Sequence, residues 1–268
     1  MEKLQKLSND LDMCDEVIMD ILRMRCQIVQ ELIHYKQENG LSPIQPEQEQ
    51  QQQQKKDIFT KKLADYEYQQ SIMSIYDFII DQSKRIQSHE LFGQNIFLVG
   101  FMGAGKSTVS SYLKNTFSMD VIEMDEIIAK RNGMSISEIF ELHGEQYFRN
   151  EETELLRECQ NKKNQIISCG GGVAMRQVNV DEMRKSGTIV LLTASPETIL
   201  ERVQSSHDRP LLENNKTIEH ITSLMQAREQ AYQNAADIIV NTDGKSVFEI
   251  CEEIVNKVQP LKIESTTA

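Results

Sequence analysis

No run of about 18 apolar residues, the length needed to cross a bilayer, occurs in this 268-residue chain. Its first residues, Met1-Glu2-Lys3-Leu4-Gln5-Lys6, lack the apolar core of a secretory signal. Cysteines are few and odd in number: Cys14, Cys26, Cys159, Cys169 and Cys251 are scattered, with no C-x-x-C pair. That pattern excludes a disulfide framework and a zinc knuckle and fits reduced thiols. Basic residues are the minority, 29 against 41 acidic, for a net charge of −12. Residues 1–92 hold 16 acidic and 11 basic side chains, and the remainder 25 and 18, so neither part carries the basic surface of a nucleic-acid binder. The expectation is a soluble cytoplasmic protein of one large or two ordinary domains, with neither nucleic acid nor membrane as partner.

What is present centres on Gly100-Phe101-Met102-Gly103-Ala104-Gly105-Lys106-Ser107-Thr108, which fits G-x-x-x-x-G-K-[S/T] in full. Asn95-Ile96-Phe97-Leu98-Val99 ahead of it reads as a buried strand, and Val109, Leu113 and Phe117 behind it share one helical face. The glycines let successive N–H groups turn towards a polyphosphate, and the following helix adds its N-terminal partial charge. Lys106 would reach the β- and γ-phosphates, and the Ser107 hydroxyl would ligate Mg²⁺. Gly103, Ala104, Gly105, Lys106, Ser107 and Thr108 are thus expected to hold ATP or GTP.

Ahead of this motif the chain is helical. Leu4, Leu7, Leu11, Cys14, Ile18, Ile21, Arg25, Ile28, Leu32 and Tyr35 recur at steps of three and four, the seam of one long helix ending near Asn39-Gly40. Arg25 breaks that seam, and Lys36 lies three turns on with only ~20° of rotation, so both face one interior. A snorkelling or salt-bridged arginine accounts for one such charge; two on one face suggest an anion held inside a bundle. Pro43 and Pro46 then break the chain, a polar segment with five glutamines (residues 50–54) follows, and two further helical faces lead to a boundary at Gly93.

These helices resemble the all-helical chorismate mutase domain. The resemblance rests on Arg25, Lys36, Glu49 and, in Ile80-Asp81-Gln82-Ser83-Lys84-Arg85-Ile86-Gln87, on Gln87. It implies an intertwined homodimer of long helices through residues 1–92 and a site for a dicarboxylate, chorismate or prephenate. Three charged positions of the family fall on neutral Ser8, Gln45 and Gln48, and two of the missing groups are cations. A clamp short of two cations loses transition-state stabilisation, so the expectation is a degenerate mutase domain kept for dimerisation or ligand binding.

From residue 94 strand and helix alternate, which implies a mostly parallel sheet. Asp120-Val121-Ile122-Glu123 reads as the second strand, closing on Glu123-Met124-Asp125. One of those carboxylates would serve the metal's water shell while the other orients and deprotonates a hydroxyl. Ser135-Ile136-Ser137-Glu138 and Ser246-Val247-Phe248-Glu249 are capping boxes. Gly170-Gly171-Gly172 directly after a strand suggests backbone approaching a ligand, against the alternative of a plain turn. The polar stretch with Arg209-Pro210-Leu211-Leu212 reads as a mobile lid carrying an arginine.

Taken in order, Gly103 to Thr108, the acidic pair, Phe148-Arg149-x-x-Glu152, Gly170-Gly171-Gly172, Arg209-Pro210-Leu211-Leu212 and Arg228-Glu229-x-x-Tyr232 resemble the shikimate kinase family. The resemblance implies a phosphate-loop α/β kinase domain over residues 93–260, a five-stranded parallel sheet of order 2-3-1-4-5, and a loose tail over 261–268. It implies transfer of the γ-phosphoryl group of ATP, with Mg²⁺, to the 3-hydroxyl of shikimate. Arg149 and Arg228 would grip the shikimate carboxylate, Asp125 the ring hydroxyls, and Gly170, Gly171 and Gly172 the same substrate. Lys106, Asp125 and Arg209 would be catalytic, with Arg209 closing over the phosphates and Arg202 and Lys245 at the adenosine end. Glu123, acting on the metal through water, stands where the family usually has Asp, so the charge is kept on a longer arm. The alternatives left open are a bifunctional kinase and mutase, a nucleotide-binding regulator, and a phosphate-loop kinase for gluconate or a nucleotide.

Overall fold

The computed structural model describes residues 1–204 and 217–266. Two compact units divide the chain, Met1–Glu90 and Leu91–Ala268.

The first unit is three helices, as the sequence predicts: α1 (Glu2–Glu38), α2 (Pro46–Lys62) and α3 (Gln69–Leu91). α1 stops where expected. Asn39 N–H reaches back to the Tyr35 carbonyl, and Gly40 follows at φ +62°, a left-handed turn that glycine adopts without strain. The glutamine-rich segment is helical. Pro46 sits in the first turn of α2, where its missing N–H costs nothing, and Glu47 and Glu49 complement the helix dipole. What this unit lacks is an interior. Of α1 only Ile33 and Lys36 are buried, neither of them in the seam, while the seam residues Leu4, Leu11, Ile18 and Ile28 remain 74%, 67%, 53% and 56% exposed.

The second unit alternates strand and helix. Its elements run β1 (Asn95–Val99), α4 (Lys106–Phe117), β2 (Asp120–Glu123), α5 (Met124–Asn132), α6 (Ile136–His143), α7 (Glu145–Cys159), β3 (Gln165–Ser168) and α8 (Gln177–Arg184). They continue with β4 (Gly187–Thr193), α9 (Pro196–Val203), α10 (Ile218–Ala235), β5 (Ile238–Asn241) and α11 (Val247–Thr266). The strands pair in parallel in the order β2-β3-β1-β4-β5, matching the expected topology. Every residue of β1 and β3 is buried, as a sheet covered on both faces requires. Both capping boxes form: Ser135 and Glu138 exchange hydrogen bonds, as do Ser246 and Glu249. Two boundaries differ from expectation. β2 ends at Glu123, so Asp125 belongs to the first turn of α5, and α11 stays helical to Thr266 where the sequence predicts a loose tail from residue 261.

One buried side chain secures the central strand. Asn95, fully buried, donates to the Cys159 and Lys162 carbonyls at 3.1 and 2.9 Å and accepts from Gln165 N–H at 3.0 Å. It thereby ties the end of α7 and the start of β3 to β1. Replacement by alanine strands those backbone groups away from water. Asn95→Ala is expected to lower stability by about 3 kcal/mol, read as a lower urea midpoint for loss of the sheet unit.

Candidate active site

The phosphate loop joins the buried end of β1 to α4, with Gly105 capping the helix at φ +99°, a conformation closed to most side chains. Ala104 is fully buried beneath it; Ser107 and Thr108 open the helix on its exposed side. Lys106 Nζ donates to the carbonyls of Gly100 and Phe101 at 2.8 and 3.1 Å, folding its ammonium over its own loop. Arg202 reaches the loop from α9, donating to the Gly103 carbonyl at 3.2 Å and to Thr242 Oγ1 at 3.0 Å. Ser107 Oγ donates to Glu123 at 3.2 Å, bringing together the two residues expected at the metal. One hydroxyl and one carboxylate suit Mg²⁺, which keeps most of its waters. Among the described residues no cluster of three or more His, Cys, Asp or Glu forms a cage for a more demanding ion.

Beside the loop, α5, α7, the glycine turn and α10 converge. The Arg149 guanidinium, 18% exposed, bridges Glu145 at 2.9 Å and fully buried Glu152 at 2.9 and 3.1 Å, and lies near the rings of Phe140 and Phe148. Gly170 is hemmed by two carboxylates: a Cβ there would come within 2.6 Å of Asp125 and 3.0 Å of Glu152. A Cβ on Gly172 would overlap the Arg149 guanidinium. The Gly171 carbonyl accepts from Tyr232 Oη at 2.6 Å and from Arg228 at 3.5 Å, while the Arg228 guanidinium lies over the Phe101 ring. The glycine turn is thus a backbone wall packed closely against Asp125, Glu152 and Arg149.

A supporting layer escaped the sequence reading. Arg176 donates to the Arg149 carbonyl at 2.7 Å. Buried Asn179 accepts from Thr153 at 2.7 Å and donates to the Val173 carbonyl at 3.0 Å. These bonds dock the short turn after Gly172 onto α7, fixing glycine wall and arginine in one register. Glu152, which the sequence motif Phe148-Arg149-x-x-Glu152 contained without a role, joins this layer through its pairing with Arg149 three residues earlier. Not every expected residue is brought in: Lys245 pairs with Glu253 at 2.6 Å, and Arg209 lies outside the described residues.

The family model for shikimate kinase matches residues 102–259, more than half of the chain. The shikimate kinase of Geobacter sulfurreducens is 42% identical over 167 residues, covering 62% of this chain and 92% of that protein. That of Caldanaerobacter subterraneus subsp. tengcongensis is 39% identical over 169 residues, covering 63% and 98%. This chain belongs to the shikimate kinase family. Among solved structures, the shikimate kinase from Aquifex aeolicus aligns with a TM-score of 0.55 at 37% identity, covering 63% of this chain and 98% of that one. The one from Acinetobacter baumannii, in complex with shikimate, aligns with a TM-score of 0.56 at 29% identity, covering 64% and 94%. Shikimate kinases use ATP, which fits the loop described above.

The helical unit matches a second family model, chorismate mutase type II, over residues 7–88. Its expected site residues are not all together. Lys36 is buried, and burial lowers its pKa; its Nζ donates to Gln48 Oε1 at 3.0 Å and to the Pro43 carbonyl at 3.4 Å. Gln87 donates to the same carbonyl at 3.5 Å, while Arg25 is half-buried and Glu49 exposed.

In the shikimate kinase unit, burial pushes the Glu152 carboxyl up to about 7; Arg149 pulls it down and Asp125 adds to the rise. Because the folded value lies above the ordinary one, this group's stabilisation is complete below about pH 4.5 and is lost as pH rises through 7. Glu152→Gln removes the titration. Its melting temperature relative to the parent is therefore expected to climb between pH 5 and pH 8, as thermal scans across that range on the order of three units would read.

Proposed function

We propose that the chain transfers the γ-phosphoryl group of ATP to the 3-hydroxyl of shikimate, giving shikimate 3-phosphate. The observation that carries this reading is the pocket wall itself: Arg149, Asp125, the glycine turn and Arg228 converge beside a complete phosphate loop. Arg149 and Arg228 take the substrate carboxylate in charge-assisted bonds. Gly170, Gly171 and Gly172 set how deeply the ring sits, since a side chain on Gly170 would strike Asp125 and Glu152 and one on Gly172 would strike Arg149. Asp125 orients the reacting hydroxyl and accepts its proton. Lys106 leaves the Gly100 and Phe101 carbonyls for the β- and γ-phosphates, exchanging two bonds to neutral acceptors for stronger ones to anions. Gly103, Ala104, Gly105 and Thr108 present backbone N–H groups, with Arg202 and Lys245 towards the adenosine end and Arg209 over the phosphates. Ser107 directly and Glu123 through water would hold Mg²⁺, which when bound would neutralise charge on the phosphates. A phosphate-loop kinase for gluconate or a nucleotide would not require Arg149, the glycine turn and Arg228 together.

The helical unit, residues 1–92, is proposed as a homodimerisation domain that retains a weak site for chorismate or prephenate. Its apolar side chains support a second copy as partner. Ile21, Ile58, Ile75 and Phe78 stand 57–63% exposed alongside the α1 seam, more apolar surface than a stable monomer shows. Lys36 faces Gln48 and a carbonyl here, where an active dicarboxylate clamp would need another cation. The second reading, a bifunctional kinase and mutase, draws on the match over residues 7–88. Cytoplasmic residence accords with the cysteines, all five of which are free thiols. Among the described residues no helix is long and apolar enough to cross a membrane.

Lys106→Ala and Asp125→Asn are each expected to lower shikimate-dependent ADP release by ~10²–10⁴-fold with an unchanged circular dichroism spectrum. Near-normal turnover by Asp125→Asn would remove it from the acceptor site. Light scattering is expected to give the mass of two chains; a monomer counts against the dimer. In a parallel assay chorismate should persist, and its rapid conversion to prephenate would establish the bifunctional reading instead.

A further inference from the structure

Ser110 occupies an odd place for a hydroxyl. It lies in the second turn of α4 beneath the phosphate loop, on the same buried side as Val109 and Leu113, and is itself fully buried. Serine is a weak helix former because its hydroxyl competes for backbone groups, and a buried hydroxyl costs stability unless it is bonded. This one has two acceptors in reach, Glu123 Oε1 at 2.7 Å and the Ser107 carbonyl at 3.0 Å, and its single proton goes to the nearer, charged one. The other carboxylate oxygen, Oε2, takes the hydrogen bond from Ser107 Oγ at 3.2 Å. Glu123 is therefore held at both oxygens by two hydroxyls of one helix, one turn apart.

That bridge has a chemical consequence. Glu123 hangs from the end of β2 on a side chain with three rotatable bonds, one more than aspartate has, so its carboxylate needs a second anchor to face one direction. With the Ser107 proton engaged by Oε2, the Ser107 oxygen keeps its lone pairs for a cation. We propose that Ser110 is a positioning residue, which by gripping Oε1 of Glu123 presents Oε2 to Ser107 and to the hydration shell of the metal bound there. The role rests on the reading of Ser107 and Glu123 as the metal site given above. It explains how a longer acid serves there: the serine takes up the extra reach.

The test reads metal binding rather than turnover. Mn²⁺ is titrated into the full chain with saturating ADP, bound and free ion being separated by electron paramagnetic resonance, and ADP affinity is measured separately in EDTA. Ser110→Ala and Glu123→Gln are each expected to weaken Mn²⁺ about tenfold, the low end for residues that orient metal ligands, with metal-free ADP affinity unchanged. The double variant should bind Mn²⁺ no more weakly than Glu123→Gln alone, because the serine acts only through the carboxylate. Unchanged Mn²⁺ affinity in Glu123→Gln overturns the metal-site reading itself. A tenfold loss there beside an unchanged Ser110→Ala overturns the positioning role alone, as do additive losses in the double variant. Ser110→Cys, of similar size and a weak donor, repeats the measurement should the alanine variant fail to fold.

Discussion

β1 pairs in parallel with β3 on one side and β4 on the other, and β2 and β5 extend the same direction outward. With all five strands running one way, every strand-to-helix junction falls at a single edge of the sheet. The phosphate loop after β1, Glu123 at the end of β2 and the glycine turn after β3 are neighbours for that reason alone. One of these loops follows the central strand and another the strand beside it, which is why Asn95 matters although it touches no functional group. Its three hydrogen bonds fix the opposite end of the same strands.

Charge is arranged at that edge with economy. Arg149 is only partly exposed, the Glu152 it pairs with is wholly enclosed, and Asp125 and Glu152 both press on the Cα of Gly170. A buried carboxylate between an arginine and a second carboxylate is costly unless the arginine stays put, so Glu152 ties the guanidinium to α7. Phe140 and Phe148 complete the enclosure by covering the guanidinium with aromatic surface.

Much of this was legible along the chain wherever a function lives in a short spacing. The phosphate loop, both capping boxes, the stop at Gly40 and the run of strands are local patterns, and each formed where the spacing predicted. Glu152 was half legible: its spacing from Arg149 implied contact, but its complete burial depends on α5 and the glycine turn arriving from elsewhere. Ser110, Arg176 and Asn179 were silent because their partners lie 13 to 27 residues away and no periodicity marks them. On α1 the seam pointed to Arg25 and Lys36 together, yet only Lys36 is buried, and it faces glutamine and carbonyl oxygen. A repeat of three and four says which residues share a face, not what that face meets.

The length of α1 bears on how the molecule responds to dilution. Its 37 residues extend about 55 Å, against about 25 and 35 Å for the 17 and 23 residues of α2 and α3. The seam stays exposed along α1, and in the proposed homodimer a second copy would cover it. In that dimer, order in α1 would be a second-order property: halving the protein concentration would shift the balance towards the uncovered form. The sheet unit draws its core from a single chain and has no such dependence. In dilute solution the two units of one polypeptide would thus part company in stability, the helices answering to concentration and the sheet to temperature and denaturant alone.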